Sequence, residues 1–206
     1  MYSLLGSQSS ELARELHDNG WGGSPLRPVG VSPPIFKGAP RQPGAYMTSG
    51  DGSIWLGSPV PEIAAAMLRA VAGLKSRKSI RWGGSSLAVK GVQLGDQPDH
   101  GAGQAVFAAA TPVLVKHEDR FLLPGDPLYL DRLCHNLRHK ADLLGVSGEL
   151  EVEILDAGPR RRFEVAGKPR IGATVQARVA AAPALLDAVY DWGLGLLTIQ
   201  GFGWLQ

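Results

Sequence analysis

Of the side chains able to move a proton or hold a metal ion, five histidines and one cysteine stand out. His135 and His139 are spaced i, i+4, which on a helix lets two imidazoles share a metal. The zinc-peptidase pattern also needs glutamate after the first histidine, and Asn136 stands there. Arg132, His135 and His139 share a polar helix face better suited to solvent or phosphate, and Cys134 reads as a buried structural thiol. No metal site and no cofactor are therefore expected. His17 follows a short amphipathic run, and an imidazole titrating near about pH 6.5 can serve as acid or base. Gly193-Leu194-Gly195 resembles the start of a dinucleotide fingerprint, but Thr198 stands where the third glycine is due. Neither a Walker A sequence nor a G-x-S-x-G elbow occurs.

Two patterns point to a polyanion instead. Gly193, Gly195, Gly201 and Gly203 form G-L-G, five residues, G-F-G. Such spacing lets a backbone approach a partner closely, with amide N–H groups directed outward as a nest for phosphate oxygens. Basic residues cluster at Lys75, Arg77, Lys78 and Arg81, and again at Arg160, Arg161, Arg162, Lys168 and Arg170. Divided near residue 97, the first half carries +4 and the second −2. Neither half is the polycation that coats duplex DNA, so no direct DNA contact is expected.

These residues must be positioned by a folded chain. A hydrophobic fraction of 44% with 19% charge excludes disorder. No apolar run reaches the ~18–20 residues of a membrane span, and Met1 opens no signal peptide. A soluble, cytoplasmic protein is expected, and its lone Cys134 excludes an intrachain disulfide. Ser9 or Ser10 should cap a helix over Glu11–His17 that ends at Asn19-Gly20. Extended chain from Arg27 to Phe36, a hairpin-like segment over 45–56, a helix from Pro61 and an extended 79–94 follow. The Pro61 helix carries a stripe of Ile63, Met67, Val71 and Leu74. In the second half, strands are expected at 104–116, 149–154 and 173–181, with a last extended piece at 198–205. Helices are expected at 126–144, striped by Leu130, Leu133, Leu137 and Leu144, and at 183–192. This is strand-helix-strand-strand-helix-strand, the ferredoxin-like order. The first half repeats it without an opening strand. Two tandem α+β domains, 1–97 and 98–206, are thus expected.

The glycine pattern GLGLLTIQGFG resembles that of the CRISPR repeat-RNA processing endoribonucleases of the repeat-associated mysterious protein superfamily. YSLLGSQSSELARELHDNG resembles the family's first helix, with tyrosine at its start and histidine at its end. SPVPEIAAAM, ATPVLV and LCHNLRHKADLLG resemble later segments in the same order. The resemblance implies two ferredoxin-like domains and metal-independent cleavage of precursor repeat RNA into guide RNAs. In that reaction a 2′-hydroxyl attacks the neighbouring phosphate, leaving a cyclic phosphate and a 5′-hydroxyl.

By resemblance, His17 and Tyr2 fall at catalytic positions, and Arg27 or Lys37 supplies the cation that stabilises the phosphorane. Gly193, Gly195, Gly201 and Gly203 would contact RNA, with Arg160, Arg161, Arg162 and Lys168 beside them. CRISPR repeat RNA is the implied partner, and other subunits of an effector complex are further candidates. The family has a strand before its tyrosine, where this chain begins, so an upstream segment or another chain is expected to fill that slot. Two other readings stay open: a non-catalytic RNA-binding subunit of an effector complex, and a generic RNA-recognition domain pair. The last relies on sheet aromatics, of which the 104–116 strand has only Phe107.

Overall fold

The structure, a computed structural model, describes residues 1–39, 49–76, 79–82 and 85–206. Arg77 and Lys78 of the first basic cluster, the bend at Gly83-Gly84 and residues 45–48 lie outside what is described. Two short helices open the chain, α1 (Tyr2–Gly6) and α2 (Ser10–Asp18). Four two-residue strands follow, β1 (Gly30–Val31), β2 (Ile35–Phe36), β3 (Gly52–Ser53) and β4 (Leu56–Gly57), then α3 (Pro61–Ala72). Strands β5 (Ile80–Trp82) and β6 (Ser85–Leu87) form a small hairpin. In the second half come β7 (Gln104–Ala108), β8 (Val115–His117), β9 (Arg120–Leu122) and α4 (Tyr129–Leu143). Then follow β10 (Glu151–Ala157), β11 (Arg161–Val165), β12 (Lys168–Gly172), β13 (Val175–Ala180) and α5 (Pro183–Trp192).

The second half is a split β-α-β unit. Its antiparallel sheet has the order β10-β13-β7, and Leu205 continues it by bridging Ala109 on the β7 side. Alternation sends Val175, Ala177 and Val179 into a core closed by Leu133 and Leu137 of α4 and Leu185, Leu186 and Val189 of α5. Phe107 is buried in that core. The opposite sheet face carries Gln104, Val106, Glu151, Glu153 and Arg178, with Arg178 paired to Glu153. No aromatic stands on that face of the three strands, so base stacking on the sheet finds no support. The α4 stripe differs from expectation: Tyr129 is buried in place of Leu130, which is exposed, and Lys140 joins it.

In the first half, the 27–36 segment pairs with 52–57. β1 runs antiparallel to β4 and β2 to β3, making a two-stranded ribbon where a hairpin within 45–56 was expected. One face of the ribbon, with Val29 and Val31, packs on Leu5, Leu12 and Leu16 of α1 and α2 and on Ile63 and Met67 of α3. Leu144 and Ile199 from the second half complete that cluster. The tandem ferredoxin-like architecture is thus present, and the two halves share packing.

On its other face, the ribbon meets the end of α5. Gly30 and Gly57 pair across the ribbon, and a Cβ on either would collide with the Asp191 carbonyl. We expect Gly57→Ala to lower unfolding stability by at least about 2 kcal/mol, because backbone cannot yield as a side-chain tip can. Gly50→Ala, where nothing lies within 4 Å, should be nearly neutral in the same urea titration.

Candidate active site

The first helix of the sequence reading is two helices. Ser7 turns its hydroxyl back to the Leu4 carbonyl, and the Ser9 hydroxyl accepts from the Leu12 N–H to cap α2. Competing side-chain hydrogen bonds of this kind break a helix. The break folds α1 back along α2, so that residues fifteen apart in sequence meet. The rings of Tyr2 and His17 lie edge to face, centroids 4.9 Å apart.

Arg27 holds this corner together. Its Nε donates to the Leu16 carbonyl at 2.7 Å, Nη2 to that of His17 at 2.6 Å and Nη1 to that of Pro25 at 3.0 Å. The guanidinium therefore caps the C-terminal carbonyls of α2 and keeps its charge beside Tyr2 and His17. His17 is exposed, and its Nδ1 pairs with Asp18 Oδ1 at 2.7 Å. In the tautomer that donates Nδ1–H to Asp18, Nε2 keeps a lone pair that can accept a proton. Lys37 does not join this group. It stands ten residues further along the chain, just after β2 pairs with β3. Its contacts there are backbone ones to Ser49 and Asp51.

The glycine segment folds inward. The N–H groups of Leu194, Leu196 and Gly203 donate to the carbonyls of Gly203, Leu114 and Pro112, and those of Gly193 and Gly201 to Val189 and Thr198. These amides therefore do not form the outward nest expected for phosphate, since protein carbonyls already occupy them. A Cβ at Gly195, whose φ is +71°, would stand 2.5 Å from the Leu114 carbonyl oxygen. Residues 198–200 form a short 3₁₀ turn where an extended piece was expected. Its Thr198 hydroxyl donates to the Val29 carbonyl at 2.8 Å, and Ile199 enters the first core. The segment braces the two halves.

The second basic cluster is a hairpin, β11 against β12, turning at Ala166-Gly167. Alternation separates its arginines: Arg161, Phe163, Lys168 and Arg170 share one face, and Arg162 takes the other. Phe163 meets Phe202 of the glycine segment edge to face at 5.7 Å, and the Arg170 guanidinium lies 5.9 Å over the Phe121 ring. The first face is thereby continuous with the glycine segment.

Residues 96–206 match the family described as CRISPR associated protein Cas6, C-terminal. The chain belongs to the Cas6 family. No curated protein matches it by sequence. Among solved structures, it is similar over its whole length to a Cas6-related protein from Pyrococcus furiosus, with 19% identity, TM-score 0.77 and 86% of that chain covered. A RAMP protein binding different RNA substrates aligns over the whole chain and 87% of its own, with 22% identity and TM-score 0.73. A Cas6 product complex shares 19% identity at TM-score 0.61, with the whole chain and 89% of that one covered. At these identities the likeness is one of fold.

Within this Cas6-family fold, burial raises the Tyr2 hydroxyl pKa, and the charge and hydrogen bond of Arg27 partly offset the rise. Tyr2 is thus a protonated donor at neutral pH. His135 and His139 hold no third ligand: among the described residues no cluster of metal-binding side chains occurs. Instead, His139 Nε2 lies 3.3 Å from the Ser24 hydroxyl and links α4 to the first half.

Sequence reasoning missed three residues. Asp18 was available as the carboxylate next to His17. Thr198 had been noted only as a missing glycine. Lys140 falls on the α4 apolar stripe after Leu133 and Leu137, a placement that marks a cation needing a partner. It is 1% exposed, its Nζ donates to the Gly193 carbonyl at 2.6 Å and it lies 4.6 Å over the Trp192 ring. Burial lowers its pKa to about 7. Between about pH 7 and 10 the unfolded chain holds a proton that the folded chain has released, so this group makes stability rise with pH there. Lys140→Met should remove that slope from urea midpoints measured at successive pH values, with the two proteins differing most below pH 7.

Proposed function

We propose that the protein is a metal-independent endoribonuclease that cleaves CRISPR repeat RNA in its precursor to give guide RNAs. The observation that carries this reading is the convergence of Tyr2, His17 and Arg27 at one corner of a Cas6-family fold. His17 Nε2 takes the proton of the 2′-hydroxyl, and its oxygen attacks the adjacent phosphorus. The bond to the 5′-oxygen breaks, that oxygen takes a proton from solvent water, and a 2′,3′-cyclic phosphate remains. Tyr2 donates its hydroxyl hydrogen to the phosphate, and the Arg27 charge offsets the negative charge that grows on the phosphorane. Asp18 holds the imidazole tautomer. We assign the cutting residues to the first unit, 1–97, and RNA binding largely to the second, 98–206. The Arg161, Phe163 and Lys168 face of the hairpin, with Arg160 at its edge and the glycine segment beneath, follows the RNA backbone. Binding of different RNA substrates by the RAMP relative, and the product complex of another, support RNA as the partner.

One observation favours a second reading, a non-catalytic RNA-binding subunit of an effector complex. Two of Arg27's N–H groups cap α2 and a third bonds the Pro25 carbonyl, so little of its fork is left to grip phosphate. A wild-type protein that binds repeat RNA and never cuts it would establish that reading.

With chelator present, the wild type should cut repeat RNA and leave a cyclic-phosphate end. His17→Ala should lose at least about 100-fold in single-turnover rate while keeping RNA affinity, because proton transfer acts in the transition state. Equal rates in the two proteins would remove His17 from the mechanism.

The hairpin faces give a separate expectation. Arg161→Ala with Lys168→Ala should reduce the slope of log affinity against log salt by about 1.4, as two single-strand phosphate contacts are lost. Arg162→Ala, on the other face, should leave the slope unchanged. The reverse pattern would put the RNA on the Arg162 side.

A further inference from the structure

Lys140 is a buried amine with no carboxylate paired to it among the described residues. Burial is the only influence that shifts it. The charged groups on the elements around it are engaged elsewhere. On α5, Asp187 bonds His100 at 2.8 Å, and the Asp191 carboxyl responds to burial, Asp187 and His100. On its own helix, Arg138 and Asp142 are exposed and His139 lies against Ser24. A methionine would fill the same slot without desolvating a charge, and replacing buried ions by apolar groups of like shape is often neutral or stabilising. What Lys140 holds is therefore informative. Its Nζ donates to the carbonyl of Gly193, the residue that ends α5, where a helix presents its negative pole.

From that carbonyl a chain of short contacts leads to the candidate catalytic corner. Leu194 and Leu196 are bonded to Gly203 and Leu114, which fixes the path from Gly193 to Thr198. The Thr198 hydroxyl, itself buried, donates to the Val29 carbonyl at 2.8 Å. Val29 N–H donates to the Arg27 carbonyl at 2.7 Å, and the Arg27 side chain grips the carbonyls of Leu16 and His17.

We propose that Lys140 is a positioning residue for RNA cleavage: by holding the entrance of the glycine segment it sets, through Thr198, where Arg27 and His17 stand. The proposal rests on the endoribonuclease reading. It assigns a role to a residue that touches neither RNA nor the reacting atoms, in the half of the chain opposite His17.

The test compares Lys140→Met, Thr198→Val and the double variant with wild type, in the full chain. Three quantities are read: melting temperature, single-turnover cleavage of repeat RNA at saturating RNA, and hydrogen exchange at the Val29, Leu194 and Leu196 amides. Lys140→Met should keep or raise the melting temperature yet cut at least about 10-fold more slowly, since displacements of about 1 Å in a site can cost more than that. Thr198→Val should slow cutting in the same direction, and the double variant should be little slower than the slower single one, as expected for residues on one path. Exchange at Val29 should quicken in both. A melting temperature and a cutting rate that fall together in Lys140→Met, with Thr198→Val cutting and exchanging as wild type does, would make Lys140 merely structural. Unchanged cutting in both variants would also overturn the proposal. Should the wild type cut no repeat RNA, the endoribonuclease reading fails by itself. Exchange at Val29 then decides this one: unchanged protection in both variants refutes the path from Lys140.

Discussion

Where the ribbon of the first half meets the end of α5, main chain lies against main chain, and the rest of the structure depends on that closeness. Gly30 and Gly57 of the ribbon abut the Asp191 carbonyl, and within the second half Gly195 and Gly203 abut those of Leu114 and Leu194. Any Cβ at these points would enter an oxygen's van der Waals radius, so the approach exists only because the residues are glycine. In return, donors at Leu194, Leu196 and Gly203 find carbonyls, leaving these amides satisfied in a buried seam. The same closeness lets Ile199 of the glycine segment join the first core and Thr198 reach Val29.

The candidate catalytic corner is held by a different economy. Its imidazole is exposed, so packing does not fix it; hydrogen bonds and one ring contact do. Arg27 has two tasks that pull on the same group. Capping α2 orients His17, while the uncommitted part of its charge is what a phosphate would meet. A guanidinium can do both because its planar fork spreads charge over several donors. A lysine in its place would have one ammonium for both tasks.

Much of this was legible in the sequence, for physical reasons that can be named. Ser9, Pro61 and Pro183 mark helix starts by their hydrogen-bonding and fixed φ, and each helix begins there. Alternation in 151–154 and 175–180 gave strands with one buried face. Tyr2, His17 and Arg27 were singled out through resemblance, and the structure brings the three together. What stayed hidden depends on contacts distant in sequence. The break at Ser7–Ser9 shows no change of hydrophobic period, because two short helices keep the pattern of one. Whether an amide in the glycine segment faces outward is decided by Pro112 and Leu114, some eighty to ninety residues earlier. The arginine run looked like one patch until pairing with β12 sent alternate side chains to opposite faces. For the Lys37 alternative, the reason is the β2–β3 pairing, which holds the Lys37 backbone to Ser49 and Asp51.

A seam built from carbonyls and glycine α-hydrogens also bears on divergence. At those contacts few side chains beyond the glycines themselves are specified, so the surfaces around them can change composition without losing fit. Shape is inherited through the backbone, while chemistry at the rim is left free to drift. A chain sharing 19% of its residues with a Pyrococcus furiosus relative, yet superimposing at a TM-score of 0.77, is what that freedom would produce. Lineages could then alter the hairpin and rim residues while the joint between the halves stays the same.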